Sequence, residues 1–153
     1  MDKIDISKVV SEKLITLDLK ADTKETAIEE LTELLVKDGA VNNKKAFIND
    51  VILRESEGVT GLGQGVAIPH GKSKAVNSTS IAVGLSKHSI KWESLDEKPV
   101  NLIILFAVKD EDANTLHLKL LQHIAILLAD DEFIKNIKKV TSKKEVIKLL
   151  SGK

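Results

Sequence analysis

The chain has 153 residues, of which 42% are hydrophobic and 30% charged, with 23 basic and 23 acidic side chains. This length suits one domain with a sizeable core, and the balanced charge argues against nucleic acid as a partner. The absence of cysteine excludes disulfides, thiolate metal ligands and cysteine nucleophiles. No apolar run approaches the ~20 residues of a membrane-spanning helix, so we expect a cytoplasmic protein that does not insert into a membrane.

The N-terminal part of the chain predicts a strand and two helices. Apolar and polar residues alternate over Leu14–Leu19, which is the pattern of a half-buried strand. Asp22 and Glu25 have the spacing of a capping box and precede apolar residues that recur with helical period. Asn43 is placed to cap a second helix, which Gly58 can terminate.

The segment that follows, Gly58–Lys74, contains five glycines and one proline. This density of helix breakers predicts an ordered loop. The segment does not fit a nucleotide-binding P-loop, because five residues and not four separate Gly65 from Gly71. A dinucleotide-binding fingerprint fails as well, since Val66 stands where its third glycine should be.

The C-terminal half predicts two strands and two helices. Alternation over Ser78–Lys87 indicates a strand, and the nearly continuous apolar run Val100–Val108 indicates a central strand covered on both faces. Helical periodicity predicts a helix over Asn114–Ala129, and the capping-box spacing of Ser142 and Glu145 opens a last helix. We therefore predict one layered α/β domain, with a mixed β-sheet flanked by α-helices.

His70 is the strongest candidate for a reactive residue, because it ends the glycine-rich segment between a proline and a glycine. Glycines let main-chain amides converge on an anion, and we expect Thr60, Gly61 and Gly63 to contribute to phosphate binding. A neutral imidazole can take up a phosphoryl group on one nitrogen when the other carries the proton. The alternative is an exposed loop histidine without such a role.

Arg54 is the only arginine, since the other 22 basic residues are lysines. It follows Val51 by three residues and Phe47 by seven, which places its stem on the inward-facing stripe of the second helix. The planar guanidinium can bind two oxygens of a carboxylate or a phosphate. Arg54 is therefore a candidate phosphate ligand, and a buried salt bridge to a nearby glutamate is the alternative.

His117 lies on the apolar stripe near the start of its helix, three residues before Leu120 and seven before Ile124. Desolvation and the positive end of the helix dipole should keep it neutral, which suits a hydrogen-bonding partner of a phosphorylated group. The alternative is a core histidine satisfied by a main-chain carbonyl. His123 lies about 120° further round the helix, and His88 is expected on the surface, so we expect neither a metal nor a cofactor.

These motifs resemble the fructose/mannitol-type enzyme IIA domain of the bacterial phosphoenolpyruvate-dependent sugar phosphotransferase system. The most specific piece is Thr60-Gly-Leu-Gly-Gln-Gly-Val-Ala-Ile-Pro-His-Gly-Lys72, which is similar to the family's signature ending in Pro-His-Gly. Arg54-Glu55, Lys98-Pro99-Val100 and His117-Leu118 add to the resemblance. It extends over nearly the whole chain and implies a single IIA domain over residues 1–153.

The resemblance also implies a function for the three candidates. His70 would be the phosphorylated histidine, His117 a second active-site histidine that orients it or contacts the phosphoryl group, and Arg54 the cation beside the phosphate. The protein would accept the phosphoryl group from phospho-HPr and pass it to a cysteine of enzyme IIB, while enzyme IIC in the membrane imports the sugar. A nitrogen-type regulatory IIA protein, which binds its targets according to its phosphorylation state, is the alternative.

Overall fold

The computed structural model describes residues 4–152. Its helices are α1 (Lys24–Lys37), α2 (Lys44–Glu57), α3 (Leu116–Leu128), α4 (Asp131–Ile137) and α5 (Lys143–Leu150). Its strands are β1 (Ile15–Thr16), β2 (Gly61–Gly63), β3 (Val66–Ala67), β4 (His70–Ser73), β5 (Ser80–Ile90) and β6 (Val100–Lys109). Short 3₁₀ helices cover Ile6–Lys8, Glu12–Leu14 and Asp110–Asp112. Within the described range, no helix is both long and apolar enough to cross a bilayer.

All six strands belong to one open mixed sheet. Its order is β1-β5-β6-β3-β2, and β4 also pairs with β6. The pairs β5–β6 and β2–β3 are antiparallel, whereas β1–β5, β3–β6 and β4–β6 are parallel. Every residue of β6 from Leu102 to Val108 is buried, as a strand covered on both faces requires. The predicted fold class and the predicted central strand are both confirmed.

The glycine-rich segment is not a loop, and that prediction was wrong. Strands β3 and β4 lie end to end along β6, with Val66 opposite Leu102 and His70 opposite Phe106. Pro69 interrupts them because it has no amide hydrogen to donate, yet its carbonyl oxygen accepts the Phe106 amide at 2.9 Å. Strands of two to four residues are too short to show a pattern of their own. They form because their main chains hydrogen-bond to the long apolar strand β6.

Two N-terminal predictions need correction. The capping box of α1 is built by Thr23 and Thr26, each side chain bonding the other's amide, and not by Asp22 and Glu25. The predicted strand Leu14–Leu19 shrinks to two residues, because a 3₁₀ helix precedes it and the chain bends after Thr16.

The starts of α2 and α5 follow the prediction, α3 starts at Leu116 and not at Asn114, and one further helix is present. Asn43 accepts the Ala46 amide at the start of α2, and Ser142 accepts the Glu145 amide at the start of α5. Helix α4 was not predicted, since it has only seven residues and little room to display a periodic pattern. Its N-cap is Asp130.

Helix α2 packs directly on β4, the strand that begins with His70. A Cβ atom on Gly71 would lie 2.5 Å from a Phe47 ring carbon and 2.6 Å from a Val51 methyl carbon. Only glycine fits there, because such distances are well inside van der Waals contact. Since side chains alternate along a strand, His70 and Lys72 face away from α2.

Candidate active site

The site is built around a pair of histidine rings on opposite elements. His70 is the first residue of β4, and His117 is the second residue of α3. Their ring centroids are 5.2 Å apart and the ring planes are nearly perpendicular, at 86°. The structure therefore brings together two residues that are far apart in sequence and were both predicted as site residues.

The buried ring of Phe106 packs against both histidine rings. Its centroid lies 5.1 Å from that of His70 and 6.0 Å from that of His117. Phe106 is also the β6 partner of His70, so the sheet register fixes this contact. Sequence reasoning missed the contact with Phe106, because the register between two strands cannot be read from the sequence of either strand.

Burial and neighbouring charge hold His70 in the neutral form. Its pKa is lowered to about 4, first by burial and then by electrostatic interaction with His117 and Arg54, while the Ile68 main chain opposes the shift. Its Nδ1 atom is buried and forms no hydrogen bond of ordinary length and angle in the described part of the chain, although the Ile68 main chain is near enough to favour the charged ring. At neutral pH the ring therefore carries a free lone pair, which a nucleophile needs. His70 is half-buried, and not the fully exposed loop histidine of the alternative.

His117 is also held neutral. Its pKa is lowered from the ordinary value, first by burial and then by the charge of Lys72. Its Nδ1 atom is buried, and within residues 4–152 no main-chain carbonyl or other group bonds it. The alternative of a core histidine satisfied by a carbonyl is thus not what the structure contains.

Arg54 lies in the last turn of α2 and is half-buried. Its Nη1 atom donates to the Gly58 carbonyl oxygen at 3.4 Å. Among residues 4–152 it forms no ion pair with a carboxylate, so the buried salt bridge is absent there. Its charge is felt at His70, and most of its donors stay available for an anion.

The residues Thr60, Gly61 and Gly63, which were also predicted to bind phosphate, form contacts within the protein. The Thr60 hydroxyl donates to Glu55 at 2.5 Å, and the Gly61 amide donates to the Glu93 carbonyl at 3.2 Å. Gly63 has φ +101°, in the left-handed region that favours glycine, and shapes the turn between β2 and β3. A phosphate contact from these three stays a prediction.

A buried polar network joins Arg54's neighbour Glu55 to α1. The Glu55 side chain is 4% exposed and accepts from Thr60 and, at 3.5 Å, from Lys24. The Thr60 hydroxyl in turn accepts from the Trp92 indole at 3.1 Å. These contacts fix the end of α2 beside the glycine-rich segment. Sequence reasoning noted Glu55 but could not predict its partner Lys24, 31 residues distant, or the Thr60–Trp92 contact over 32 residues.

The donor set does not suggest a metal. In the part of the chain that the structure describes, no group of three or more His, Cys, Asp or Glu side chains could hold one. Two neutral histidines flanked by cations fit an anion better than a cation.

Together, the fold and the site define an α/β protein with a half-buried histidine pair adapted to an anionic group. The chain belongs to the family described as phosphoenolpyruvate-dependent sugar phosphotransferase system, EIIA 2, whose model matches residues 8–153. This finding confirms the resemblance noted in the sequence.

Similar proteins fall into transport and regulatory groups. The chain is 34% identical to a fructose-specific EIIABC component of Bacillus subtilis, over 95% of this chain but only 23% of that protein's length. It is 32% identical to a fructose-specific EIIA component of Haloferax volcanii, over 99% of this chain and 97% of that one. The structure matches nitrogen regulatory protein IIA-Ntr of Neisseria meningitidis with a TM-score of 0.87 and 30% identity, covering 95% and 98% of the two chains.

Proposed function

We propose that the protein is a phosphocarrier that accepts a phosphoryl group from phospho-HPr on His70 and passes it to a cysteine of enzyme IIB during sugar import through enzyme IIC. One observation carries the proposal: His70 is held neutral and half-buried beside His117, within the field of Arg54. A neutral imidazole is the reactive form, and a nearby guanidinium stabilises the charge of the phosphoryl group.

The transfer needs only protein side chains. Because Nδ1 of His70 is buried, Nε2 is the nitrogen that attacks phosphorus. The new N–P bond forms as the bond from phosphorus to HPr breaks, and the donor keeps that electron pair. In the second step a thiolate of enzyme IIB attacks phosphorus, and the electron pair of the N–P bond returns to Nε2. Positioning and charge stabilisation supply the catalysis.

The surroundings of the site favour a protein as donor and acceptor. Leu53, beside Arg54, is 61% exposed, and Leu118, beside His117, is 54% exposed. Exposed apolar side chains around a site mark contact with another protein. Two cavities, of about 650 Å³ and 520 Å³, are lined by other residues. Neither of them is a small-molecule pocket at the histidine pair.

The transport assignment draws further support from the Bacillus subtilis relative. Its name joins A, B and C components in one protein, and this chain matches 23% of its length. By analogy with that relative, we infer that this A domain works together with B and C components. The sugar is left open, because an A component passes phosphate between proteins.

A regulatory function is the second candidate, favoured by the match to IIA-Ntr. The same phosphorylated histidine would then control binding to a target protein. The two functions share the first step and differ in the second. Transfer to a cysteine of enzyme IIB separates them.

The test is phosphorylation by phosphoenolpyruvate, enzyme I and HPr, followed by addition of enzyme IIB. We expect one acid-labile phosphate in the wild type, none in His70→Gln, and full uptake in the control His88→Gln, whose ring is exposed. Phosphate on the His70→Gln variant contradicts the assignment of the acceptor. Uptake without passage to any enzyme IIB encoded beside this chain's gene favours regulation.

A further inference from the structure

We propose that Lys72 is a second phosphate-binding cation of the site, holding the phosphoryl group on the His117 side while Arg54 holds it on the His70 side. This inference rests on the proposed phosphocarrier function and adds a residue to its site.

The strand geometry puts Lys72 on the reactive face. In β4 the exposures alternate, with His70 half-buried and Lys72 exposed while Gly71 and Ser73 are buried. Gly71 packs against α2, so the face with His70 and Lys72 is the opposite one. Residues two apart on a strand are about 6 to 7 Å apart, and an extended lysine side chain spans such a distance.

The charge of Lys72 is available to a ligand. Lys24 and Lys44 are paired with glutamates, but Lys72 has no ion pair among the residues described. The positive charge of Lys72 acts on His117. It lowers the pKa of His117, as the second cause after burial. An ammonium group that forms no ion pair in residues 4–152 and acts on His117 adds positive charge to this part of the site.

Each histidine therefore has a cation of its own. Arg54 acts on His70, and Lys72 acts on His117. A phosphoryl group on His70 carries about two negative charges at neutral pH, so two flanking cations match it. Arg54 provides a planar fork, whereas Lys72 provides a compact charge on a flexible stem that can follow the group during transfer.

The matched variants are Lys72→Gln, Lys72→Arg and the control Lys74→Gln. Lys74 is also exposed and follows directly after β4. In the unphosphorylated protein, NMR titration should show the pKa of His117 rising in Lys72→Gln and unchanged in Lys74→Gln. With phosphoramidate, a small donor that needs no docking partner, phosphorylation of His70 should be about fivefold slower in Lys72→Gln, as for an exposed charge pair.

Lys72→Arg should restore the rate, because it keeps the charge. If Lys72→Gln behaves like Lys74→Gln in both measurements while the wild type is phosphorylated, the role of Lys72 is refuted and the phosphocarrier proposal stands. If the wild type takes no phosphate from phosphoramidate or from phospho-HPr, the proposed function fails and the inference fails with it.

Discussion

The four histidines divide into two pairs that the protein treats differently. His88 and His123 have main-chain partners: their Nε2 atoms lie 2.8 Å from the Ala21 carbonyl oxygen and 2.6 Å from that of Leu150. His70 and His117 instead have buried Nδ1 atoms without a partner in residues 4–152. Buried polar atoms are rarely left unbonded, and two of the three such atoms described here belong to this one site.

The two pairs differ in whether their ring nitrogens are stabilised within the protein. A histidine that bonds a carbonyl holds the structure together, and its proton is committed. A desolvated histidine without a partner is less stable, but it responds to a ligand that supplies the missing interaction. We therefore distinguish a reactive pair, His70 and His117, from a structural pair, His88 and His123.

The largest effect is expected from Arg54→Lys, which should slow transfer through the reactive pair. Lysine keeps the charge but loses the planar fork, and removal of one preorganised electrostatic contact costs about 2.7 to 4 kcal/mol, or about 10² to 10³ in rate. Rapid-quench measurement of phosphate uptake from phospho-HPr gives the rate. A folded Arg54→Lys protein that matches the wild type would reduce Arg54 to a structural residue.

The pH dependence of stability should also distinguish the reactive pair. His70 has a pKa of about 4 when folded and ~6.5 when unfolded, so the unfolded chain binds more protons between these values. The free energy of unfolding therefore falls as pH drops from about 6.5 to about 4, by about 3 kcal/mol from this residue. His117, whose pKa is also lowered, acts in the same direction.

Urea unfolding at a series of pH values measures this loss. His70→Gln should remove most of the slope in that window, whereas His88→Gln should keep it. An unchanged slope in His70→Gln means that the ring is not desolvated in solution. Carboxylates with lowered pKa, such as Glu33 and Asp96, are common to all variants and cancel in the comparison.

His117→Ala should slow transfer about tenfold, close to 1.4 kcal/mol, because a neutral hydrogen-bonding group leaves the site. His117→Gln tests the point more finely, since an amide can imitate one ring nitrogen but cannot titrate. Transfer retained by Gln and lost by Ala indicates hydrogen bonding. Full transfer by both, with only a lower melting temperature, assigns His117 to the core.

The smallest effect belongs to the structural pair. His123→Ala removes the bond to Leu150 at the end of α5, which should cost about 1 kcal/mol of unfolding free energy with no change in transfer rate. Thermal unfolding and the uptake assay report the two quantities separately. A His123 variant that is stable but slow in transfer would contradict the assignment of His123 to the structural pair.

The long periodic elements could be predicted from the sequence, because their patterns are local. Helix α2, the strand β6 and the Ser142 N-cap of α5 all followed from local sequence patterns. The short strands β3 and β4 could not, since they exist only through pairing with β6. Tertiary contact, and not local preference, decides such segments.

The same limit applies to the site. His70, His117 and Arg54 were identified from their unusual settings along the chain, and the structure brings them into one electrostatic environment. Lys72 and Phe106 were missed for one reason. Both follow only once His70 is known to lie on a strand. Side chains alternate along β4, so Lys72 lies on the same face as His70. The register with β6 places Phe106 beside His70.

The most direct test of a neutral, phosphate-accepting His70 is NMR of the protein with ¹⁵N-labelled histidines, before and after phosphorylation by phospho-HPr. Before phosphorylation, His70 should remain neutral at pH 5.5 to 6, below the ordinary histidine pKa of ~6.5. Afterwards, phosphorus coupling should be seen at Nε2 of His70 alone, with His117, His88 and His123 unmodified. Phosphorus on any other nitrogen, or a His70 that titrates like an exposed histidine, contradicts the claim that a desolvated, neutral His70 carries the phosphoryl group.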